Sequence, residues 1–251
     1  MERQTELQEI QWLAESAKDL PGHGYTGYSP EIGEASTWIL HAMYETKSDT
    51  PDITHDEWHH LQVEGGMEEP LFAPGLNPES LTVLGIPIGR TTRPESNYKR
   101  LRWSELASRE KAPMASSGVP PCFRWFPYNS WPLRIRPPAE GSIDRESFHL
   151  LVRHIIATSP SAGASECFVL YAPLSTGDMG GPPILYHGQL AELSDLYDHH
   201  DFNAGPTNIW TRDRSWFTYT DSDLMATRVS GSLQLVNAIV ADSELETTSY
   251  P

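Results

Sequence analysis

The chain has 251 residues and a formal net charge of −16, and 38% of its residues are hydrophobic and 10% aromatic. This length allows one large domain or two modest ones, and the aromatic content excludes a disordered chain, because disordered chains lack side chains that bury enough surface to fold. The negative charge disfavours nonspecific binding to nucleic acid or to an anionic membrane and suits a basic partner.

The cysteines and the first residues indicate the compartment. The chain has two cysteines, Cys122 and Cys167, and they are not spaced as a CxxC pair. Two cysteines exclude a four-cysteine zinc site, and so low a cysteine content fits the reducing cytosol. Residues 1–16 are charged and amphipathic and lack the apolar run of a secretory signal. No run in the chain approaches the roughly 18 apolar residues of a transmembrane helix. We therefore expect a soluble cytoplasmic protein.

Two helices are predicted before residue 50. Apolar residues recur at helical spacing over residues 2–18, with charged and amide side chains between them. Residues 35–45 form a compact apolar run, and Ser36 is placed to cap a helix there. On that helix we interpret His41 as a histidine at the edge of the core that hydrogen-bonds to backbone.

Thr54 and Glu57 have the spacing of a capping box and predict the start of a third helix. His55 and His59 lie four residues apart on one face of it, as the two zinc ligands of a helix do. The two histidines have the spacing of the zinc-binding motif HExxH, but Asp56 stands where that motif has its glutamate. Acids in the first turn followed by histidines also suit the helix dipole, and we favour this interpretation without metal.

A second histidine pair, His199 and His200, lies between two aspartates. Mixtures of Asp and His bind divalent cations, but adjacent side chains rarely converge on one ion without strain. If this pair meets His55 and His59 in space, the chain is a metal-dependent hydrolase, which is the first alternative to the function that we favour below. We predict no cofactor, with a divalent metal as the alternative.

Basic residues concentrate in the middle of the chain. Residues 90–136 contain ten of the eighteen Lys and Arg residues and three acids, a net charge of +7, so the other residues carry −23. We favour a basic stretch that packs across the acidic remainder of the fold, and the alternative is a basic strip that faces an anionic ligand. Residues 98–111 predict a basic amphipathic helix with Leu101, Trp103 and Leu106 facing inward.

Residues 112–121 predict a linker. They are rich in Pro, Ser and Gly and carry no charge, as connections between folded units commonly do. The linker would separate an N-terminal α+β half, residues 1–111, from a C-terminal α+β half, residues 122–251.

Aromatic residues alternate with arginines over residues 121–138. Such a pattern stacks bases and holds phosphates, which makes Arg124, Trp125 and Arg134 candidate ligand contacts. A nucleotide- or RNA-binding module that uses residues 98–136 is therefore the second alternative function. In an acidic protein we favour a strand that crosses the core with arginines over aromatic faces.

The C-terminal half carries the clearest periodicity. Its first predicted elements are a helix and two strands, at residues 144–157, 166–173 and 184–186. A hairpin, a helix capped by Ser232 and a last strand follow, over residues 216–220, 225–229, 233–242 and 245–250. This order of elements predicts an α+β fold with mixed or antiparallel sheets and packed helices.

Several short patterns in this half form one larger pattern. They are W-x-x-D-R-S-W from Trp210, T-D-x-D from Thr220, V-S-G-S from Val229 and L-E from Leu245, after Cys167, Phe168, Tyr171, Tyr186, Gly188 and Leu190. Over residues 166–248 the chain therefore resembles a module of uncharacterised actinobacterial proteins. The resemblance implies one continuous domain from residue 145 onward, and no activity is attached to that module.

No sequence motif assigns a reaction. The chain lacks G-x-S-x-G, Walker, Rossmann and kinase signatures, and Asp221 with Asp223 has the chemistry of a turn. A loop with Trp210, Arg212 and Asp221 is a candidate ligand face, because loops on a rigid scaffold carry function. We therefore predict no catalytic residues, and a binding protein whose acidic surface docks a basic protein partner. An immunity or antitoxin protein is the most concrete form of this prediction.

Overall fold

The computed structural model describes residues 1–4, 8–17, 30, 32–68, 86–87, 89–110, 130–172, 182–198 and 204–248. Its strands are β1 (Glu2–Gln4), β2 (Ala35–Leu40), β3 (Met43–Thr46), β4 (Tyr98–Leu101), β5 (Ile135–Arg136), β6 (Glu166–Tyr171), β7 (Ile184–Gln189), β8 (Asn208–Thr211), β9 (Phe217–Thr220), β10 (Ala226–Gly231) and β11 (Glu246–Thr248). Its α-helices are α1 (Gln11–Ala17), α2 (His55–Glu64), α3 (Trp103–Glu110), α4 (Arg145–Thr158), α5 (Leu193–Leu196) and α6 (Leu233–Val240).

The strands form two antiparallel sheets. The large sheet has the order β1-β7-β6-β8-β9-β10-β2-β11, and the small sheet has the order β4-β3-β5. Every neighbouring pair in both sheets is antiparallel. Together with the packed helices, these sheets confirm the predicted α+β class.

Both sheets join strands that are far apart in the sequence. In the large sheet β2 lies between β10 and β11, and in the small sheet β3 lies between β4 and β5. The predicted linker, residues 112–121, falls outside the described residues, so the division into two halves stays a prediction.

Two helices cover one face of the large sheet. Phe148, Leu151 and Ile155 of α4 cluster with Leu235 and Ile239 of α6 against residues of β2, β6, β8 and β10. Burying a side chain of this size contributes about 1.5–3 kcal/mol. The buried side chains of α4 are the ones that its helical periodicity predicts. The N-cap residue of α4 is Asp144, whose carboxylate accepts the Ser147 N–H.

The opposite face of the large sheet packs against α1. Phe168 and Leu170 of β6 cluster here with Leu13, Trp210 and Phe217, because successive side chains of a strand point to opposite faces. The alternate residues of β6 lie in the first cluster. β6 is therefore buried on both faces, which explains its nearly continuous apolar sequence.

The small sheet shares a third cluster with α3 and the β2–β10 end of the large sheet. Trp103 and Trp131 meet edge to face there, with ring centroids 5.8 Å apart. The Trp103 indole also donates a hydrogen bond to the His41 carbonyl at 2.9 Å. The connection from β2 to β3 is thereby fixed, and it holds the two sheets together.

Three helix predictions in the N-terminal half needed correction. Residues 35–45 form β2 and β3, residues 98–101 form β4 before α3 begins, and residues 2–4 form β1 before α1. A short apolar run fits a strand as well as a helix, and β2 pairs with β10 and β11 on its two sides. These partners lie far away in the sequence, so local periodicity could not identify them. The inward positions of Leu101, Trp103 and Leu106 are confirmed.

The last four C-terminal elements were predicted correctly, whereas β8 lies where the sequence predicted a loop that contains Trp210. The hairpin of β9 and β10, α6 and the final strand β11 occur in the predicted order. Ser232 caps α6 by accepting the Leu235 N–H at 3.2 Å. Asp221 accepts the Asp223 N–H at 2.8 Å, which confirms that the aspartates between the two strands form the turn.

Candidate functional site

Helix α2 is held at its first turn and open along its length. The Thr54 hydroxyl accepts the Glu57 N–H at 3.2 Å, and the Glu57 carboxylate accepts the Thr54 N–H at 2.7 Å. These bonds form the predicted capping box, and the His55 N–H donates to the Trp131 carbonyl at 3.0 Å. None of the ten residues of α2 is buried. The helix is therefore fixed against the small sheet by its N-terminus, while its sides contact solvent.

Three large apolar side chains are exposed on and after this helix. Trp58 is 41%, Leu61 50% and Met67 67% exposed. Trp58 and Leu61 are three residues apart and are neighbours on the helix surface. The chain turns at Gly65, where an added Cβ would meet the Met67 methyl carbon at 3.2 Å and the Leu61 carbonyl oxygen at 3.2 Å. Trp58 and Leu61 thus form an apolar patch along the helix, and the Met67 side chain lies at the turn that ends it.

Acidic residues surround this patch. Glu57 and Glu64 lie four and three residues from Leu61, and Glu68 follows Met67 directly. We call the six residues Trp58, Leu61, Met67, Glu57, Glu64 and Glu68 the α2 surface. Sequence reasoning missed it, although residues 48–89 contain eight acids and no Lys or Arg. This absence of basic residues is the signal that could have found it.

The histidines of α2 have separate partners. His55 Nε2 hydrogen-bonds with the Ile135 carbonyl at 2.9 Å, whereas His59 Nδ1 meets the Glu68 carboxylate at 2.7 Å. Within the described residues, no group of three or more His, Cys, Asp or Glu side chains is arranged to hold a metal ion. His199 and His200 fall outside the described residues. The structure therefore places His55 and His59 in contacts with the protein itself.

Part of the basic stretch packs on one buried carboxylate. Glu45 of β3 is 7% exposed, and its oxygens lie 3.0 Å from Lys99 Nζ, 2.8 Å from Arg109 Nη1 and 3.4 Å from Arg134 Nε. Arg134 also pairs with Asp52 at 2.9 Å. These contacts give the candidate Arg134 a structural partner. The other two candidates of this stretch, Arg124 and Trp125, fall outside the described residues.

The structure keeps Trp210 and Arg212 of the predicted C-terminal ligand face together and places Asp221 apart from them. The Arg212 guanidinium lies over the same Phe168 ring on which Trp210 stacks, 5.1 Å from the ring centroid. Trp210 lies in β8 and is 1% exposed, with its ring stacked on Phe168 at a centroid distance of 5.6 Å. Arg212 follows β8 and pairs with Glu166 at 2.7 Å. Asp221 lies beyond the opposite end of the β8–β9 hairpin, where it is buried and accepts the Tyr219 hydroxyl. Burial raises the pKa of its carboxyl.

His41 is a core histidine, as the sequence predicted. It is fully buried, with Nδ1 3.2 Å from the Ala139 carbonyl and Nε2 2.9 Å from the Thr227 hydroxyl. Burial lowers the pKa of His41 to about 4, although the nearby Asp144 carboxylate opposes this shift. His41 is therefore neutral at pH 7, and its two ring nitrogens are used inside the fold.

A groove of about 440 Å³ lies between the small sheet and α4. Tyr44 of β3 and Arg100 of β4 form one side, and His149 and Arg153 of α4 form the other. The shared flank of His149 and Arg153 follows from their spacing of four residues on a helix. Arg93, which precedes β4, closes one end.

Neither a protein-family model, nor a curated protein, nor a solved structure matches the chain. In the part of the chain that the structure describes, no helix has the length and hydropathy needed to cross a bilayer.

Proposed function

We propose that the protein binds a basic protein partner through the α2 surface. The observation that carries this proposal is the exposure of Trp58, Leu61 and Met67 on and after a helix without buried residues, in a segment, residues 48–89, that contains eight acids and no Lys or Arg. Exposed apolar patches bounded by polar residues are typical of protein interaction sites.

The apolar patch supplies the anchor of such an interface. Tryptophan is among the residue types that most often dominate binding energy, and a few such side chains carry most of the affinity. Trp58 has two rotatable side-chain bonds, so it becomes ordered on binding with little loss of entropy. Leu61 and Met67 extend the apolar area beside it, and methionine adapts its shape to the partner surface.

The acids around the patch select the partner's charge. Glu57, Glu64 and Glu68 lie at the rim of the patch, where charges steer association and exclude partners of the same sign. The net charge of −16 acts in the same direction at longer range. A basic partner is therefore favoured over an acidic one in both encounter and docking.

A neutraliser of a basic toxic enzyme, of the immunity or antitoxin type, is the most concrete protein of this class. Such a protein acts by covering a basic surface and needs no catalytic group of its own. A cytoplasmic location fits the buried free thiol of Cys167.

The test compares partner capture by two variants and the unchanged chain. The first variant, Trp58→Ser with Leu61→Ser, removes the anchor. The control, Leu233→Ala, removes a side chain that is 53% exposed on α6, close to the 50% of Leu61. We expect the wild type and the control to retain a basic protein from native lysate at low salt. Binding of that purified protein to the Ser variant should be weaker by about 30-fold or more, since one anchor residue contributes about 2 kcal/mol.

Titration calorimetry with the purified partner at rising salt completes the test. We expect the affinity to fall with salt, and Glu64→Gln with Glu68→Gln to reduce that dependence. Retention of no partner at low salt contradicts the proposal, and so does a partner that binds the Ser variant as tightly as the wild type. An acidic partner contradicts the role of the glutamates.

A further inference from the structure

The groove between the small sheet and α4 brings together arginines from three different elements. Arg93 comes from the segment before β4, Arg100 from β4 and Arg153 from α4. The carboxylates at the groove are Glu146 and Glu244. The groove lining thus holds three arginines and two glutamates in a protein whose net charge is −16, and Arg153 also faces Asp242. Arginines gathered in one cleft attract anions to it.

The side chains of two of these arginines have no partner among the residues that the structure describes. Arg153 lies 3.4 Å from the Asp242 carboxylate, but the guanidinium groups of Arg93 and Arg100 form no hydrogen bond or ion pair with the described residues. Arg100 Nε is buried and has no acceptor among them. A buried donor without an acceptor costs about 1–3 kcal/mol, so an arginine held in this way indicates a place for an acceptor that the chain does not supply.

Tyr44 and His149 add two further polar groups to the same groove. Burial, followed by the charge of Asp144, raises the pKa of the Tyr44 hydroxyl, which therefore keeps its proton and can donate it to an anion. His149 Nε2 is buried and, like Arg100 Nε, has no hydrogen-bond partner among the described residues. Most of the nine residues that line the groove are polar or charged, which suits a charged ligand better than an apolar one.

The two acids restrict what the groove accepts. Glu146 accepts the Arg93 backbone N–H at 3.1 Å, so its carboxylate is held at the Arg93 backbone. A long polyanion would have to pass both glutamates and the acidic surface beyond them, which disfavours RNA. A small anion can instead contact Arg93 and Arg100 and leave the acids in solvent.

We propose that this groove binds a small-molecule anion, through a phosphate or carboxylate group held by Arg93 and Arg100 with Tyr44 as a hydrogen-bond donor. Arginine suits this role because its planar group of donors matches both oxyanions in a two-point contact. The volume of about 440 Å³ lies within the range of small-molecule sites. This site is separate from the α2 surface and does not depend on the protein partner proposed above.

The experiment titrates the full chain with three probes by calorimetry at constant ionic strength: inorganic phosphate, adenosine monophosphate and citrate. We expect at least one probe to bind with a dissociation constant below about 1 mM, and Arg100→Gln to weaken that binding at least tenfold. Tyr44→Phe should weaken it by a smaller factor. Binding of phosphate and the nucleotide alone assigns a phosphate site, and binding of citrate alone assigns a carboxylate site.

Arg3→Gln is the control, because Arg3 is an exposed arginine of β1, the edge strand of the large sheet. It should leave the affinity within twofold. The proposal is overturned if no probe binds at 10 mM, or if Arg100→Gln binds as the wild type does. Thermal unfolding of each variant shows that it is folded, and Tyr44→Phe gives a second measurement if Arg100→Gln is not. Loss of partner binding in the α2 variant would leave this titration unchanged.

Discussion

Basic side chains lie on both faces of strand β3, but they have a carboxylate partner on one face only. On that face the Glu45 carboxylate forms ion pairs with Lys99 Nζ at 3.0 Å and Arg109 Nη1 at 2.8 Å. On the other face Tyr44 lies between Arg100 and Arg136 in the register of the small sheet, and neither arginine has a carboxylate partner among the described residues. The same basic stretch thus contains cations that stabilise the fold and cations that are available to a ligand.

The difference arises because β3 supplies one carboxylate and one phenol at adjacent positions. Successive side chains of a strand point to opposite faces, so Glu45 can neutralise cations on its own side only. Burial alone would raise the pKa of Glu45, but hydrogen bonds from Lys99 and Arg109 outweigh it and hold this pKa below its ordinary value. Glu45 is therefore charged in the folded protein and organises three cations. Tyr44 carries no charge, so it gives Arg100 and Arg136 no carboxylate partner.

The largest effect is expected for Glu45→Gln. This change leaves Lys99, Arg109 and Arg134 together around a group without charge. Removing one member of a buried charge cluster costs several kcal/mol, and the partial exposure of the three cations reduces this to about 2 kcal/mol. Urea unfolding at pH 7 measures the loss in the free energy of unfolding.

The control for this change is Glu95→Gln, at an exposed glutamate close to the same sheet. It should alter the free energy of unfolding by less than about 0.5 kcal/mol. If the two variants lose equal stability, Glu45 does not organise the cations as the distances indicate.

The pH dependence of Glu45 is expected to be a smaller effect of the same contacts. Its pKa is lowered in the folded state, so the stabilisation is fully present above the ordinary value of 4.5 and is lost as pH falls through the lowered value. The stability difference between wild type and Glu45→Gln should therefore shrink as pH falls below 4.5. Unfolding curves of both proteins from pH 7 to pH 3 measure this difference, and a constant gap would contradict it.

Local rules predicted the parts of this fold whose partners are close in sequence. The capping box of Thr54 and Glu57, the buried stripe of α4 and the Ser232 cap all depend on residues within one or two helical turns. The strands β2 and β3 were missed because their partners come from the far end of the chain and from β4 and β5. Periodicity within residues 35–45 contains no information about those partners.

The candidate sites were harder to predict for the same reason. Arg100 and Arg109 belong to one basic stretch, and only the folded register shows that Arg109 reaches Glu45 while Arg100 lies beside Tyr44. Trp210 looked like a loop residue because its pattern is rich in polar neighbours, yet it lies in the core. The sequence carried no prediction for Trp58, and only the folded structure shows that its side chain is exposed.

The smallest effect is expected for Arg100→Gln on stability, and it sharpens the comparison of the two faces most directly. Because Arg100 has no acid partner among the described residues, its removal breaks no ion pair, and it relieves the repulsion between Arg100 and Arg136 across β3. We expect the free energy of unfolding to change by less than about 0.5 kcal/mol, against about 2 kcal/mol for Glu45→Gln. Urea unfolding without added anions measures it. A loss as large as that of Glu45→Gln would make Arg100 a structural cation like Arg109, and the face of Tyr44 would then hold no cation free for a ligand.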